Sequence, residues 1–318
     1  MGIDSMKNYR IRLKFKSPLH VGQVDKVETV VSDIIHSDTI FSAIINSYNL
    51  LYGKEKTKEL LKFILENEDS ILISSAFYYY NDIYFYPRPL GYKFDLDKKF
   101  DFKKVKKIKF VSEEYITGKV KTPIIINGLA TDNKEIERLY FIEERPRITV
   151  DRITNETNIF YVSALRFIEN SGLWFFLSLS EEIEREIFAA LRLLSDEGLG
   201  GDRTHGNGNF DFDVEKVDFG RFQGDNCLLL SVYYPKNQNE IDSTLSYKLY
   251  ERSGYVYSQY SMSYKQPLVR LFAEGSVFKN KVTGDVLDIT PIGFEYHKVF
   301  KFARAYTIPI KKEAQYDI

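Results

Sequence analysis

The chain opens on alternation. Residues Tyr9 to Phe15 read YRIRLKF, apolar and basic by turns, the period-2 signature of a strand with one face buried and one face wet. Ser17-Pro18 stops it. Ser37 or Asp38 can then cap a helix whose apolar positions Ile40, Phe41, Ile44, Ile45 and Tyr48 recur at helical spacing. A second helical stretch, Lys54 to Glu66, gathers Leu60, Leu61, Ile64 and Leu65 on one side. Strand-like runs follow at Ile71 to Tyr80 and Ile83 to Tyr86. From 88 to 158 the periodicity gives way to lysine-rich, turn-rich sequence broken at Thr122-Pro123 and Arg145-Pro146, which predicts an insertion. Regularity returns with strands over Ile159 to Phe167 and Gly172 to Leu179. Ser180 can cap a helix over Glu181 to Ser195, with Ile183, Ile187, Leu191 and Leu194 on one face, and a strand follows at Phe210 to Val217.

Without the insertion, residues 1–217 run strand, helix, strand, strand, helix, strand. This βαββαβ order is the ferredoxin-like or RRM-like plan, an antiparallel sheet against two helices, and the open face of such a sheet is a common RNA platform. Residues 218–318 carry short strand-like runs at Cys227 to Tyr234, Tyr255 to Tyr260, Val269 to Phe278 and Lys301 to Ile310, with little helix signal. They predict a second, smaller, β-rich domain that is a degenerate copy of the first. The expected fold class is therefore α+β, two ferredoxin-like domains with a basic insertion in the first.

Composition is that of a folding globular protein: 318 residues, 44% hydrophobic, 28% charged and 15% aromatic. The single cysteine, Cys227, excludes an internal disulfide, and no Cys/His group has the paired spacing of a zinc site. No metal or cofactor is expected. The N-terminus has no apolar leader, and no stretch approaches the roughly 18 apolar residues of a membrane helix. A cytoplasmic protein with no membrane partner is the expectation.

Net charge is −1, so attraction to an acidic partner must come from local clustering. Two strips provide it. The run KKFDFKKVKKIKF begins at Lys98, and Arg145, Arg147 and Arg152 bracket an extended, proline-containing segment. Each strip alone is accounted for by a solvated face, and other residues must decide.

The most informative stretch is Gly198 to Asn209, GLGGDRTHGNGN. Walker and Rossmann loops place glycines after a strand and before a helix, whereas this loop follows a helix and faces its negative end. A nucleotide P-loop is disfavoured. Glycines at a helix C-terminus also serve simply to allow positive φ. With Arg203 and His205 between them, Gly200, Gly201, Gly206 and Gly208 suit close backbone approach to an RNA sugar-phosphate chain, the two side chains meeting phosphate or base. Ser37 and Thr39 sit at the positive end of the first helix.

The four histidines, His20, His36, His205 and His297, form no metal-binding pair. His20 or His36 could act as general base on an RNA 2′-hydroxyl, cleaving without metal to a cyclic phosphate. No partner residue for either is identifiable, which favours a capping or RNA-contacting imidazole, with His36 a base or sugar contact. The carboxylates form no two-metal nuclease signature.

Several segments together resemble one family: Ser17-Pro-Leu-His-Val-Gly22, His36-Ser-Asp-Thr-Ile-Phe-Ser-Ala-Ile44, the glycine-rich loop, and Tyr296-His297-Lys298-Val299-Phe300-Lys301-Phe302. The chain resembles the RAMP superfamily, and within it the subunit that caps the five-prime end of the guide RNA in type III-A CRISPR effector (Csm) complexes. The resemblance implies that the glycine-rich loop and the neighbouring helix start hold the guide's repeat-derived tag. It implies a β-hairpin, Glu143 to Phe160 with Arg145, Arg147 and Arg152, that intrudes between guide and target RNA, and His297 marks the tail that points to this subunit. Lys298 stands where a proline is usual. Such subunits are not catalytic; they bridge the guide-coating backbone RAMP subunits to a large polymerase-like subunit. Two alternatives stay open: a metal-independent guide-processing endoribonuclease of the same superfamily, and a β-rich interaction protein whose lysine strip is only a solvated loop.

Overall fold

The structure, a computed structural model, describes residues 6–22, 34–92, 102–119, 124–150, 156–258 and 264–311. Strand β1 (Lys7–Phe15) leads to the long helix α1 (Ser37–Glu66). Gly53, at φ 80° and ψ 174°, breaks α1 where the two helical patterns meet. The short strands β2 (Ile71–Ile73), β3 (Phe77–Tyr80) and β4 (Ile83–Pro87) follow. After α2 (Phe102–Lys106) come β5 (Phe110–Ser112), α3 (Glu113–Ile116), β6 (Ile124–Ile126) and β7 (Leu129–Thr131). The hairpin β8 (Tyr140–Val150) and β9 (Thr157–Phe167) precedes β10 (Ser171–Leu179), α4 (Glu181–Glu197) and β11 (Phe210–Lys216).

These strands build one sheet in the order β11-β1-β10-β3-β4-β5-β7-β6, with β2 also on β10. All pairs are antiparallel except β5 with β7. Three strands therefore lie inside the stretch expected to be an irregular insertion. β5, β6 and β7 are three residues each, too short for their apolar periodicity to register in sequence. The β8–β9 hairpin pairs apart from this sheet, and Leu19 anchors its base through two 2.8 Å backbone hydrogen bonds with Leu165. Helices α1 and α4 pack on each other; Ile40, Phe41, Ile44 and Tyr48 of the one and Ile183, Ile187, Ala190, Leu191 and Leu194 of the other are buried, Phe41 stacked on Phe302. Tyr48 donates to Glu186 at 2.6 Å across the seam. Ser180 does hold the N-cap position of α4, but its hydroxyl makes no cap hydrogen bond.

The second half contributes β12 (Asn226–Leu229), α5 (Gln238–Asp242), β13 (Thr244–Ser246), the ribbon β14 (Leu249–Tyr255) and β15 (Lys265–Phe272), then β16 (Val277–Phe278), the ribbon β17 (Gly284–Asp288) and β18 (Phe300–Arg304), and β19 (Thr307–Ile310). A four-stranded sheet runs β13-β16-β12-β19. The molecule is a mixed α+β protein, rich in strands and poor in helix.

The wet face expected from the alternation in β1 persists at Lys14, which is exposed, but is covered at Arg10. Every residue of β10 is buried, and its Phe176 stacks on Tyr306 and meets Phe219 edge-on, both from the second half. Arg10, expected in water, is 3% exposed with its guanidinium 3.6 Å from the Tyr84 ring centre and ion-paired to Glu113 at 2.9 Å. One apolar core runs from Trp174 through Phe222, Leu228 and Tyr306, and each large side chain fully withdrawn from water stabilises by about 1.5–3 kcal/mol. At Phe176 the sheet, a common RNA platform in this plan, is not open: Tyr306 and Phe219 from the second half cover it.

Candidate nucleic-acid interface

The head of α1 is built from both halves of the chain. His36 takes the N-cap position with no side-chain cap bond, so neither Ser37 nor Asp38 caps the helix. Ser37 is fully buried; its hydroxyl accepts from the Val232 amide at 3.1 Å and its own amide donates to Ser75 at 2.9 Å. The expectation that Ser37 meets RNA is therefore corrected, since its hydrogen-bonding capacity holds the two halves together. Asp38 is also buried and accepts from Arg252 at 2.8 and 3.0 Å and from Lys301 at 3.1 Å. Burial by itself would raise the Asp38 carboxyl, but Arg252 and Lys301 outweigh it and hold it well below the usual carboxylate range. The Thr39 hydroxyl accepts from Arg252 at 3.1 Å.

His36 has the partner that sequence could not identify. Its Nδ1 lies 2.8 Å from Glu274, whose carboxylate also accepts from Ser75, and its ring meets Tyr250 edge-on at 5.2 Å. Burial pushes Glu274 up, yet His36 and Ser75 leave it below its ordinary value. His20 is separated from this group: its Nδ1 is held 2.7 Å from the Ser163 carbonyl, and its backbone bridges Gly201.

That bridge accounts for part of the glycine-rich loop. A Cβ on Gly200 would stand 2.4 Å from the His20 carbonyl oxygen, and one on Gly208 2.0 Å from that of Leu199. Both residues are in the left-handed region, at φ 96° and 79°. A Cβ on Gly201 would meet the His20 ring at 2.8 Å. At Gly200 and Gly208 the neighbour requiring glycine is the chain's own backbone, and at Gly201 the close neighbour is the His20 side chain. Gly206 alone of the four named glycines has open space beside it. Between them Arg203 to His205 form a single 3-10 turn, His205 exposed and 4.0 Å from Asp202.

The hairpin arginines are already ion-paired. Arg147 places its two terminal nitrogens 3.0 Å from the two oxygens of Asp202, tying β8 to the glycine-rich loop. Arg145 donates to Glu143 at 2.6 Å, as does Arg166. Hydrogen bonds from Arg166 and Arg145 lower the Glu143 carboxyl. Carboxylates close in space therefore pair with both arginines of the strip, Asp202 55 residues from Arg147, while Glu143 is shared between Arg145 and Arg166 and Arg145 stays half exposed. Arg152 lies outside the described residues.

A cleft of about 1890 Å³ runs along α1 and gathers these parts. His36, Thr39, Gly200, Gly201, Arg203 and His297 line it, whereas His20, Ser37, Arg145, Arg147, His205, Gly206 and Gly208 do not. His297 contributes from the loop before β18, its ring edge-on to Phe294 at 4.8 Å. Lys54, Lys58, Lys62, Arg88, Lys106, Lys109, Arg203, Lys248, Arg252, Lys298 and Lys301 face the cleft against Asp38, Glu66, Glu251 and Glu274. A chain with near-zero net charge therefore carries one strongly cationic groove, in which low-dielectric walls focus the field on an anion. Among the described residues no cluster of three or more His, Cys, Asp or Glu is placed to hold a metal ion, and no helix is long and apolar enough to cross a membrane.

Sequence reasoning missed the wall formed by β14, with Tyr250 and Arg252, and the Lys301 that completes the Asp38 cluster. A signal was present: Tyr250 and Arg252 alternate with Glu251 at period 2, which puts both on one strand face.

Comparison with known proteins identifies the pattern. The RAMP superfamily model matches residues 12–211 and the CRISPR Csm4 C-terminal domain model matches residues 223–310. A CRISPR system Cms protein Csm4 from Methanocaldococcus jannaschii is 28% identical, over 90% of this chain and 89% of the relative. One from Thermococcus onnurineus is 26% identical over 88% of this chain and 92% of its own. In fold, the chain is similar to one in a crystal structure of a Csm3-Csm4 subcomplex of the type III-A CRISPR-Cas interference complex. The TM-score is 0.68 at 23% identity, covering 96% of this chain and 99% of that one. A chain in a Csm1-Csm4 cassette in complex with cA4 gives 0.63 at 22% identity, with 96% and 98% covered.

Proposed function

The chain belongs to the RAMP superfamily, and we propose that it is the Csm4 subunit of a type III-A CRISPR effector, a non-catalytic cytoplasmic protein that holds the five-prime repeat-derived tag of the guide RNA. The observation that carries this reading is the cleft, where the α1 head, the glycine-rich loop and a large excess of cations converge. RNA phosphate capture needs distributed positive charge and close backbone approach, and no paired acid and base. Within the assembly the subunit bridges guide-coating backbone RAMP subunits to the large polymerase-like subunit, and its β8–β9 hairpin lies between guide and target RNA. The relatives whose structures were solved with Csm3 and with Csm1 support those partners.

In this reading the chain is two ferredoxin-like domains, residues 1–217 and 218–318. The strand order β11-β1-β10-β3 supports the first. For the second, β12, α5, β13, β16 and β19 follow in sequence and lie β13-β16-β12-β19, the same order with the second helix replaced by the β17–β18 ribbon.

A second reading, a metal-independent endoribonuclease, is favoured by one feature. Glu274 orients His36 as a carboxylate orients a catalytic imidazole. One experiment separates them: the pure protein is mixed with end-labelled guide RNA, without metal, over a salt series. Retention that falls with salt, the RNA staying intact, is expected. Specific cleavage lost in His36→Ala would replace the proposal with the nuclease, and absence of salt-sensitive binding would leave a protein-interaction module.

A further inference from the structure

On the rim of the cleft, Tyr255 and Tyr257 expose 68% and 55% of their surface while Val256 between them exposes 2%. Both residues line the cleft. Tyr255 ends β14 and Tyr257 stands two residues beyond it, so the two exposed rings flank the buried Val256, about 6.6 Å apart along an extended chain. Arg203 reaches across from the glycine-rich loop, its guanidinium 5.3 Å from the centre of the Tyr257 ring. The two halves of the chain thus meet over the groove in a cation–aromatic pair. A single exposed aromatic residue needs no explanation. Two on one wall of a cation-lined groove, one of them under a guanidinium, match the way single-stranded nucleic acid is held, with phosphates along the charge and bases on aromatic faces.

We propose that Tyr257, braced by Arg203, and Tyr255 beside it form a base-stacking platform for successive unpaired nucleotides of the bound RNA. The proposal rests on the RNA-binding reading above and names the residues that take bases, as distinct from phosphates. Stacking is indifferent to the phenol oxygen and neutralises no phosphate, which sets it apart from ionic contacts.

The test measures affinity of the full chain for a single-stranded RNA bearing the repeat-derived tag, and for a series of the same RNA with one abasic site at each position. Tyr257→Ala is expected to weaken binding by roughly 5- to 150-fold, Tyr257→Phe to bind as wild type, and Tyr255→Ala to show a like loss. The slope of log K against log salt should be unchanged in Tyr257→Ala and reduced by about 1 in Arg203→Ala. At one abasic position wild type and Tyr257→Ala should bind equally, because the base that stacks is already gone. Wild-type affinity in Tyr257→Ala, or the same penalty at every abasic position, overturns the platform while leaving RNA binding intact. A wild-type chain with no salt-sensitive RNA binding overturns both.

Discussion

Arg252 donates to both carboxylate oxygens of Asp38, 214 residues earlier in the chain, at 2.8 and 3.0 Å. The contact pins strand β14, and with it one wall of the cleft, to the head of α1. Lys301 on β18 approaches the same carboxylate at 3.1 Å, so one buried anion sets the position of two cations that line the groove.

Asp38→Asn keeps the shape and removes the charge, leaving Arg252 and Lys301 without their counter-ion. Breaking a buried pair from one side costs about 3–5 kcal/mol. A urea midpoint that falls accordingly is expected; an unchanged midpoint would show that the cluster contributes nothing to stability.

The same carboxyl gives a pH dependence. Asp38 and Glu274 both lie below their ordinary values in the folded chain. A group depressed on folding contributes stability above its unfolded pKa and loses it as pH falls through the folded one. Stability should therefore hold from neutral pH to about 5 and decline below it. Urea unfolding from pH 7 to 3 checks this, and Asp38→Asn should flatten the acid limb.

Arg147 and Asp202 keep 27% and 21% of their side-chain surface in water, so their bidentate pair is screened. Arg147→Ala should change global stability by less than about 1 kcal/mol but release the hairpin from the loop. Hydrogen exchange is the measurement: faster amide exchange within β8 and β9 at unaltered midpoint is the expected result, and unchanged exchange rates would mean that the pair does not restrain the hairpin.

Gly208→Ala should cost more than Gly206→Ala. Both sites are left-handed, at φ 79° and 76°, but only the first places a Cβ against backbone, 2.0 Å from the Leu199 oxygen. Conformation alone accounts for about 1–2 kcal/mol at Gly206, and the melting temperature of Gly208→Ala should fall further. Equal losses would contradict the packing assigned to Gly208.

Much of the architecture was legible because it is local. The alternation in YRIRLKF, the helical spacing of Ile40, Phe41, Ile44 and Tyr48, and the amphipathic run from Ile183 to Leu194 each report a buried side through the period of their own element. The helical spacing falls into two separate stretches, and in the structure they join through Gly53, which takes a φ that other residues resist. The three-residue strands β5 to β7 were not legible, being shorter than the roughly four to eight residues over which alternation registers. For the site, the α1 head and the glycine-rich loop stood out as clusters of residue types, and His36, Thr39, Gly200, Gly201, Arg203 and His297 do share the cleft.

What the sequence determined by itself was which side of each element seeks burial, where the chain turns, and the family it resembles. What covers each side was decided only in three dimensions. Period 2 in β1 cannot say that Arg10 will lie under Tyr84, nor that Tyr306 will seal the sheet face. Charge is local in sequence but its compensation is not. Arg147 is neutralised by Asp202, Asp38 is held by Arg252 and Lys301, and Tyr257 is met by Arg203 only because the fold brings distant segments together. Periodicity is a property of one element, whereas ion pairing and shielding from water are properties of the path by which elements meet.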